Sequence, residues 1–291
     1  RGDGRKPAIV HLHIAKRPQQ FGRHYAACQE RRAQQRFAGF GRSRNLVENG
    51  LGFEHAVKIA YASVVAAEVF INEFHYDNAG GGLDDDWGWG QWGTWRIDYP
   101  DADFNFLRGV TRLTNIHINS SPAVLRLDDD RIFEYPFLYM LELGRNGGPQ
   151  FTEKEIRNLR EYLLRGGFLF IDDFWGTPEW DTFYQAFVKV FPDRPVIELD
   201  KNHQIFHCFY DIDGPQMIPA VWNLQNEAEQ DVDRAYNRAV IDDAGRVMVL
   251  INWNSDIGDG WEHTYHSSYP TKYANLAYRL GINYVIYAMT H

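Results

Sequence analysis

Two adjacent carboxylates, Asp172 and Asp173, stand where the unbroken apolar run Phe168-Leu169-Phe170-Ile171 turns abruptly polar. Neighbouring acids at a strand end can hold a metal ion, or divide into a general acid and a general base if their surroundings differ. The plainer role for the pair is structural: Asp173 caps the following turn and Asp172 accepts nearby amides, as Asp commonly does. Downstream, His203 and His207 lie four residues apart, which on a helix would put both imidazoles on one face. No glutamate completes a metal-binding signature around them, and ordinary loop histidines account for the same spacing. A third group, Asp256, Asp259 and Glu262, lies in NWNSDIGDGWE (252–262), with two glycines between the acids. It resembles a cation loop only loosely, because it lacks the spaced ligands of a calcium-binding helix–loop–helix. His291 closes the chain. Nucleophile motifs are missing. There is no G-x-S-x-G or G-x-C-x-G elbow and no G-x-x-x-x-G-K-[ST] phosphate loop, and Cys208 lies between His207 and Phe209 with no glycine turn.

The elements that must position these groups are legible around Asp172. Thr152 and Glu155 have the spacing of a capping box. Ile156, Leu159 and Leu163 then recur at helical spacing, and Gly166-Gly167 ends the helix. Residues 168–171 suit a strand buried on both faces, and Thr177-Pro178-Glu179 opens a second helix. Helix, buried strand and helix make a doubly wound unit, whose ligands bind beyond the carboxyl ends of the strands. Asp172 and Asp173 are expected at that edge, with Trp175 beside them and the loop of His203 and His207 at the same edge.

Elsewhere, Glu68–Tyr76 reads as the first strand, and 77–98, with four Trp and six Gly, as an irregular loop. Phe104, Leu107, Val110 and Leu113 mark a helix over 100–113, followed by a short strand near 115–119, a helical turn at 128–133 and a buried strand at 136–143. A strand at 195–199 precedes a mainly irregular stretch, 202–235. Asp242-Asp243-Ala244-Gly245 between 238–241 and 246–252 is a hairpin signal. Lys272–Tyr287 reads as a mostly buried helix, and no internal repeat occurs.

Charge divides the chain. Residues 1–45 hold 11 Lys/Arg against Asp3 and Glu30, a net of +9, so the remainder must carry −18 to give the overall −9. Residues 1–52 are therefore read as a disordered basic leader without apolar periodicity. The stretch 53–67 is read as a short helix or a degraded export signal, Lys58 interrupting the apolar region before a small-residue segment. The acidic body argues against phosphate-backbone recognition, and the basic segment reads as a disordered leader rather than a nucleic-acid arm, so no nucleic-acid partner is expected. Two cysteines give no disulfide framework or zinc pattern, and no apolar run is long enough to span a membrane.

Six blocks carry a resemblance in order: TWRIDYPDADFNFLRGVTRLTNI, FEYPFLYMLELG, LREYLLRGGFLFIDDFWGTPEW, VFPDRPVIELDKNHQIFHCFYDI, DDAGRVMVLINWNSDIGDGWE and AYRLGINYVIYAMTH. Together they resemble the DUF4159 family over about residues 68–291, a bacterial domain of unknown function related to class I glutamine amidotransferase-like and trehalose-utilisation (ThuA-like) α/β folds. The resemblance implies an α/β, flavodoxin-like three-layer sandwich with a mainly parallel sheet and a late β-hairpin. It also implies an extracytoplasmic, envelope-associated setting, and it supplies no catalytic residues. Where related amidotransferases carry a nucleophilic Cys elbow, this chain has Ile171-Asp172-Asp173-Phe174, so that activity is not expected. The expected function is a ligand-binding or interaction module for a small molecule, a glycan or an envelope protein. Its site would comprise Asp172, Asp173, Trp175, His203, His207, Asp256, Asp259 and Glu262. The alternative is a hydrolase of sugar or cell-envelope material working through Asp172/Asp173 and a histidine such as His207, with or without a metal. No cofactor is assigned.

Overall fold

A computed structural model describes residues 63–64, 66–70, 97–118, 121–145 and 147–291. The expected leader, residues 53–62 and most of the Trp-rich stretch lie outside the described residues. Those described within 53–67 are extended. The strands are β1 (Ser63–Val64), β2 (Ala66–Phe70), β3 (His117–Ile118), β4 (Ala123–Arg126), β5 (Phe137–Leu141), β6 (Phe168–Asp172), β7 (Ile197–Glu198), β8 (Tyr236–Ile241) and β9 (Val247–Trp253). Among the described residues, β1 pairs with β3, and seven strands form one sheet in the order β4-β2-β5-β6-β9-β8-β7.

The sheet is mixed rather than mainly parallel. From β4 to β9 neighbouring strands run parallel, but β8 and β7 are added antiparallel. The cause is local: Asp242 accepts from the Ala244 and Arg246 amides, and Gly245 turns at φ 86°. That tight turn folds β8 straight back onto β9, and two-residue β7 can only join the free edge of β8.

Helices cover both faces. They are α1 (Asp101–Leu113), α2 (Glu153–Leu164), α3 (Gly176–Phe187), α4 (Ile257–Glu262) and α5 (Thr271–Thr290). Register decides which side chains share a face, since alternate residues point the same way. Phe168 and Phe170 meet Tyr287 and Tyr284 of α5 at ring separations of 6.2 and 5.1 Å, and Trp261 of α4 stacks on Phe106 of α1 at 4.1 Å. The opposite face presents Leu169, Ile171 and Trp253, the last packed 5.4 Å from Trp180 of α3. All residues of β5, β6 and β9 are buried, and each large apolar side chain so covered contributes roughly 1.5–3 kcal/mol.

The step into β6 forms as its residues dictate. The Thr152 hydroxyl accepts the Glu155 amide at 3.3 Å and the Glu155 carboxylate accepts the Thr152 amide at 2.8 Å. The two glycines after α2 differ in purpose. Gly166 adopts φ 103°, the left-handed turn, whereas Gly167 is pressed against the Tyr162 ring, which a Cβ would meet at 2.3 Å. The Tyr162 hydroxyl bonds both the amide and the carbonyl of Phe168, fixing where β6 starts.

Candidate functional site

Three neighbouring parallel strands end in the same unusual way. The residue after β5, Glu142, the residue after β6, Asp173, and the residue after β9, Asn254, have φ of 53°, 51° and 60°. Side chains with a Cβ avoid this left-handed region at a cost on the order of 1–3 kcal/mol each. The turns are stitched together: the Glu142 amide donates to the Asp172 carbonyl, the Asp173 amide to Ser255 and the Asn254 amide to Phe174, at 3.0–3.1 Å. Asn254 offsets its strain with bonds to the Gly176 amide (2.8 Å) and the Arg234 carbonyl (2.9 Å).

The two adjacent acids have different tasks. Asp172 is fully buried and saturated with donors: the Ile257 and Gly258 amides at 2.7 and 3.1 Å, Asn252 at 3.2 Å and the Tyr139 hydroxyl at 3.4 Å. It ties the end of β6 to the start of α4. Burial, reinforced by the Asp173 charge, pushes its carboxyl well above the usual range against these donors. Asp173 points elsewhere. Its Oδ1 accepts the Trp175 indole N–H at 2.9 Å, and its carboxylate hydrogen-bonds Glu142.

Around Asp173 lies a nest of acids centred on one cation. Arg145 bonds Glu142, reaches Glu229 at 2.9 Å and stands 3.6 Å from Glu179. Burial and then repulsion from Asp173 push Glu142 up to about 9, and the same two causes lift Glu229 to about 8. Asp173 itself is raised by burial, opposed by Arg145. Burial thus favours the protonated form of Glu142 at neutral pH, beside the Asp173 carboxyl that it hydrogen-bonds.

A second acidic group occupies α4, a short helix in the stretch that resembles a cation loop only loosely. Asp256 caps the helix by accepting the Asp259 amide at 2.7 Å, and Asp259 Oδ2 accepts the Val221 amide at 2.5 Å. Asp259 Oδ1 and Glu262 Oε2 lie 3.3 and 3.2 Å from His263 Nε2, one donor atom from each of the three falling within 4.8 Å of the others. This set could hold a metal ion. Asp98, 2% exposed, comes from the turn before α1 to lie against Gly258 at the start of α4.

His203 and His207 are not brought to the acids. His203 caps a short turn through its Nδ1, which accepts the Ile205 amide at 3.2 Å, and its ring lies 5.9 Å from Tyr287. The Tyr287 hydroxyl accepts the Val247 amide at the beginning of β9, so this ring marks the end of the sheet opposite Asp172. His207 bonds Asp211 and, at 2.9 Å, the Lys201 carbonyl. The expectation that the histidine loop shares the Asp172 edge is thus corrected. The loop is drawn along α5 instead, because Asn283 binds the amide and carbonyl of Tyr210. His291 stacks on Tyr287 at 4.1 Å, equally distant from the acids. Cys208 is packed beneath the same loop, where burial pushes its thiol to about 12.

Trp175, Asp256, Asp259 and Glu262 do stand at the Asp172–Asp173 edge. Sequence reasoning missed Glu142, Arg145, Glu229, Asp98 and His263. Glu142 had a usable signal, since it too is an acid directly after an apolar strand. The others depend on long-range approach.

These features define an α/β domain with a cluster of buried carboxylates at the carboxyl edge of its parallel strands. Residues 89–289 match the family described as Domain of unknown function (DUF4159), and the chain belongs to that family. No curated protein matches the chain. No helix among the described residues is long and apolar enough to cross a membrane.

Proposed function

We propose that the chain is a ligand-binding module, a flavodoxin-like three-layer domain over 68–291, whose crevice takes a small molecule through a donor-rich or cationic group. The observation that carries this reading is the pair Glu142 and Asp173. Both are buried, both are acids and both sit in the left-handed region at the ends of neighbouring strands. Strain and buried charge each cost stability, and such costs gather where a ligand is held. The order β4-β2-β5-β6-β9 corresponds to 2-1-3-4-5 in chain order, which puts the topological switch between β2 and β5, beside Glu142.

The chemistry of the ligand follows from its hosts. Carboxylates accept hydrogen bonds, and Arg145, a guanidinium gripped by Glu142 and Glu229, indicates the kind of group they take. An amine, an amidine or a sugar with several hydroxyls fits, and a glycan suits the envelope setting that the family resemblance implies. Hydrolysis by Asp172 and a loop histidine is disfavoured, because Asp172 is committed to α4 and His203 and His207 face away.

Thermal-shift measurements with agmatine and glucosamine, and glucuronate as an acidic counterpart, test the reading. Agmatine or glucosamine is expected to stabilise the wild-type protein, with the effect lost in Asp173→Asn and Glu142→Gln. A response to none of them, or one unchanged in both variants, rejects it.

A further inference from the structure

The acids on α4 outnumber the cations beside them. Asp259, Glu262 and His263 project from one face at i, i+3 and i+4, bringing one donor atom from each within 4.8 Å of the others. Asp259 uses only one oxygen on the Val221 amide, leaving Oδ1 turned toward His263 Nε2. Even a charged imidazole would then face two carboxylates.

Asp98 makes the imbalance worse and is an independent sign of a missing partner. Its carboxylate is almost completely buried, and Oδ2 has no hydrogen-bond partner. That oxygen lies where a Cβ on Gly258 would be, 1.8 Å from the ideal position, so only glycine at 258 lets it come so close to α4. After burial, the largest repulsion on it comes from Asp259, and Asp173 and Glu262 add to it. A buried carboxylate oxygen with no donor is costly, and structures retain one where a water or an ion supplies the missing bond.

We propose that Asp259, Glu262 and His263 bind one first-row divalent transition-metal ion on α4, with the buried Asp98 carboxylate beside the start of the helix adding negative charge. One imidazole among carboxylates suits Zn²⁺ or Mn²⁺ better than Ca²⁺ or Mg²⁺, which prefer all-oxygen shells. The inference uses residues separate from the Glu142–Asp173 pair and stands without the ligand reading above.

The test uses the full chain, stripped with a chelator and titrated with Zn²⁺ and with Mn²⁺ alone, following stoichiometry by calorimetry and stability by melting temperature. The wild type is expected to take up one equivalent of at least one ion and to melt higher. Glu262→Gln and His263→Gln, both partly exposed and so safe for folding, should each weaken binding about tenfold or more. Asp98→Asn, which removes only the added charge, should weaken it less. His203→Gln with His207→Gln should leave it unchanged. No uptake by the wild type overturns the proposal, as does uptake that survives Glu262→Gln and His263→Gln or disappears with the loop-histidine change.

Discussion

Glu142 and Asp173 share a hydrogen bond between two carboxyl groups, each at the end of its own strand and each with positive φ. The proton that burial keeps on Glu142 makes folding depend on pH. Glu142 keeps its proton up to about 9 in the folded chain, whereas an ordinary glutamate loses it near 4.5. Between these values the folded state binds the extra proton, so stability is full on the acid side and falls as pH rises through the window. One proton corresponds to about 1.4 kcal/mol per pH unit. Glu229 and Glu262, lifted mainly by burial to about 8 and about 7, act in the same sense. Urea midpoints between pH 5 and 9 are expected to fall in the wild type and to fall less steeply in Glu142→Gln. Equal slopes would place the proton elsewhere.

The adjacent acids should respond oppositely to substitution. Asp172→Ala strands the Ile257 and Gly258 amides in the interior, at a cost of about 3 kcal/mol or more. Asp173→Asn retains an oxygen for the Trp175 indole and removes a buried charge, so its midpoint should stay within about 1 kcal/mol of wild type. Denaturant titration of both decides the matter, and the reverse ranking would cancel the division between anchor and ligand group.

Gly166 and Gly167 separate conformational from steric cost. At Gly166 there is open space but φ is 103°, so Gly166→Val should lose about 1–3 kcal/mol and Gly166→Asn less, since Asn tolerates the left-handed region better. At Gly167 the obstacle is the buried Tyr162 ring, and Gly167→Asn should be no milder than Gly167→Ala. Calorimetric melting of the four variants checks the pattern.

Cys208 should be chemically silent. It is buried against the Asn283 carbonyl at 3.2 Å, with its thiol held to about 12 by burial. Labelling of Cys208 with a maleimide, followed by peptide mass spectrometry, is expected to track unfolding in urea and to be negligible in the native protein. Rapid native labelling would revive a nucleophilic role.

Local rules made much of the fold legible. The capping box at Thr152, the apolar run of β6 and the hairpin turn at Asp242 each depend on residues close in sequence, and each formed. β4 escaped notice because Ala-Val-Leu-Arg is too short for a periodic signal, and α4 because Gly258 and Gly260 disguise a helix that owes its start to Asp172, more than 80 residues earlier. The site was half legible for the same reason. A strand end announces that Asp172 and Asp173 reach the carboxyl edge of the sheet, yet nothing in the local pattern says that His203 folds to the far end. Nor does it say that Arg145 will be ringed by acids from four segments.

The placement of β9 has a consequence for synthesis. β6 is hydrogen-bonded to β5 on one side and to β9 on the other, and β9 starts 75 residues after β6 ends. While the intervening chain leaves the ribosome, β6 has one edge of unsatisfied amides and carbonyls on a strand that is apolar from Phe168 to Ile171, an invitation to pair with another nascent chain. Translation pauses or truncations before Val247 should therefore favour aggregation, and a chaperone able to cover Phe168–Asp172 would act in the interval before β9 arrives.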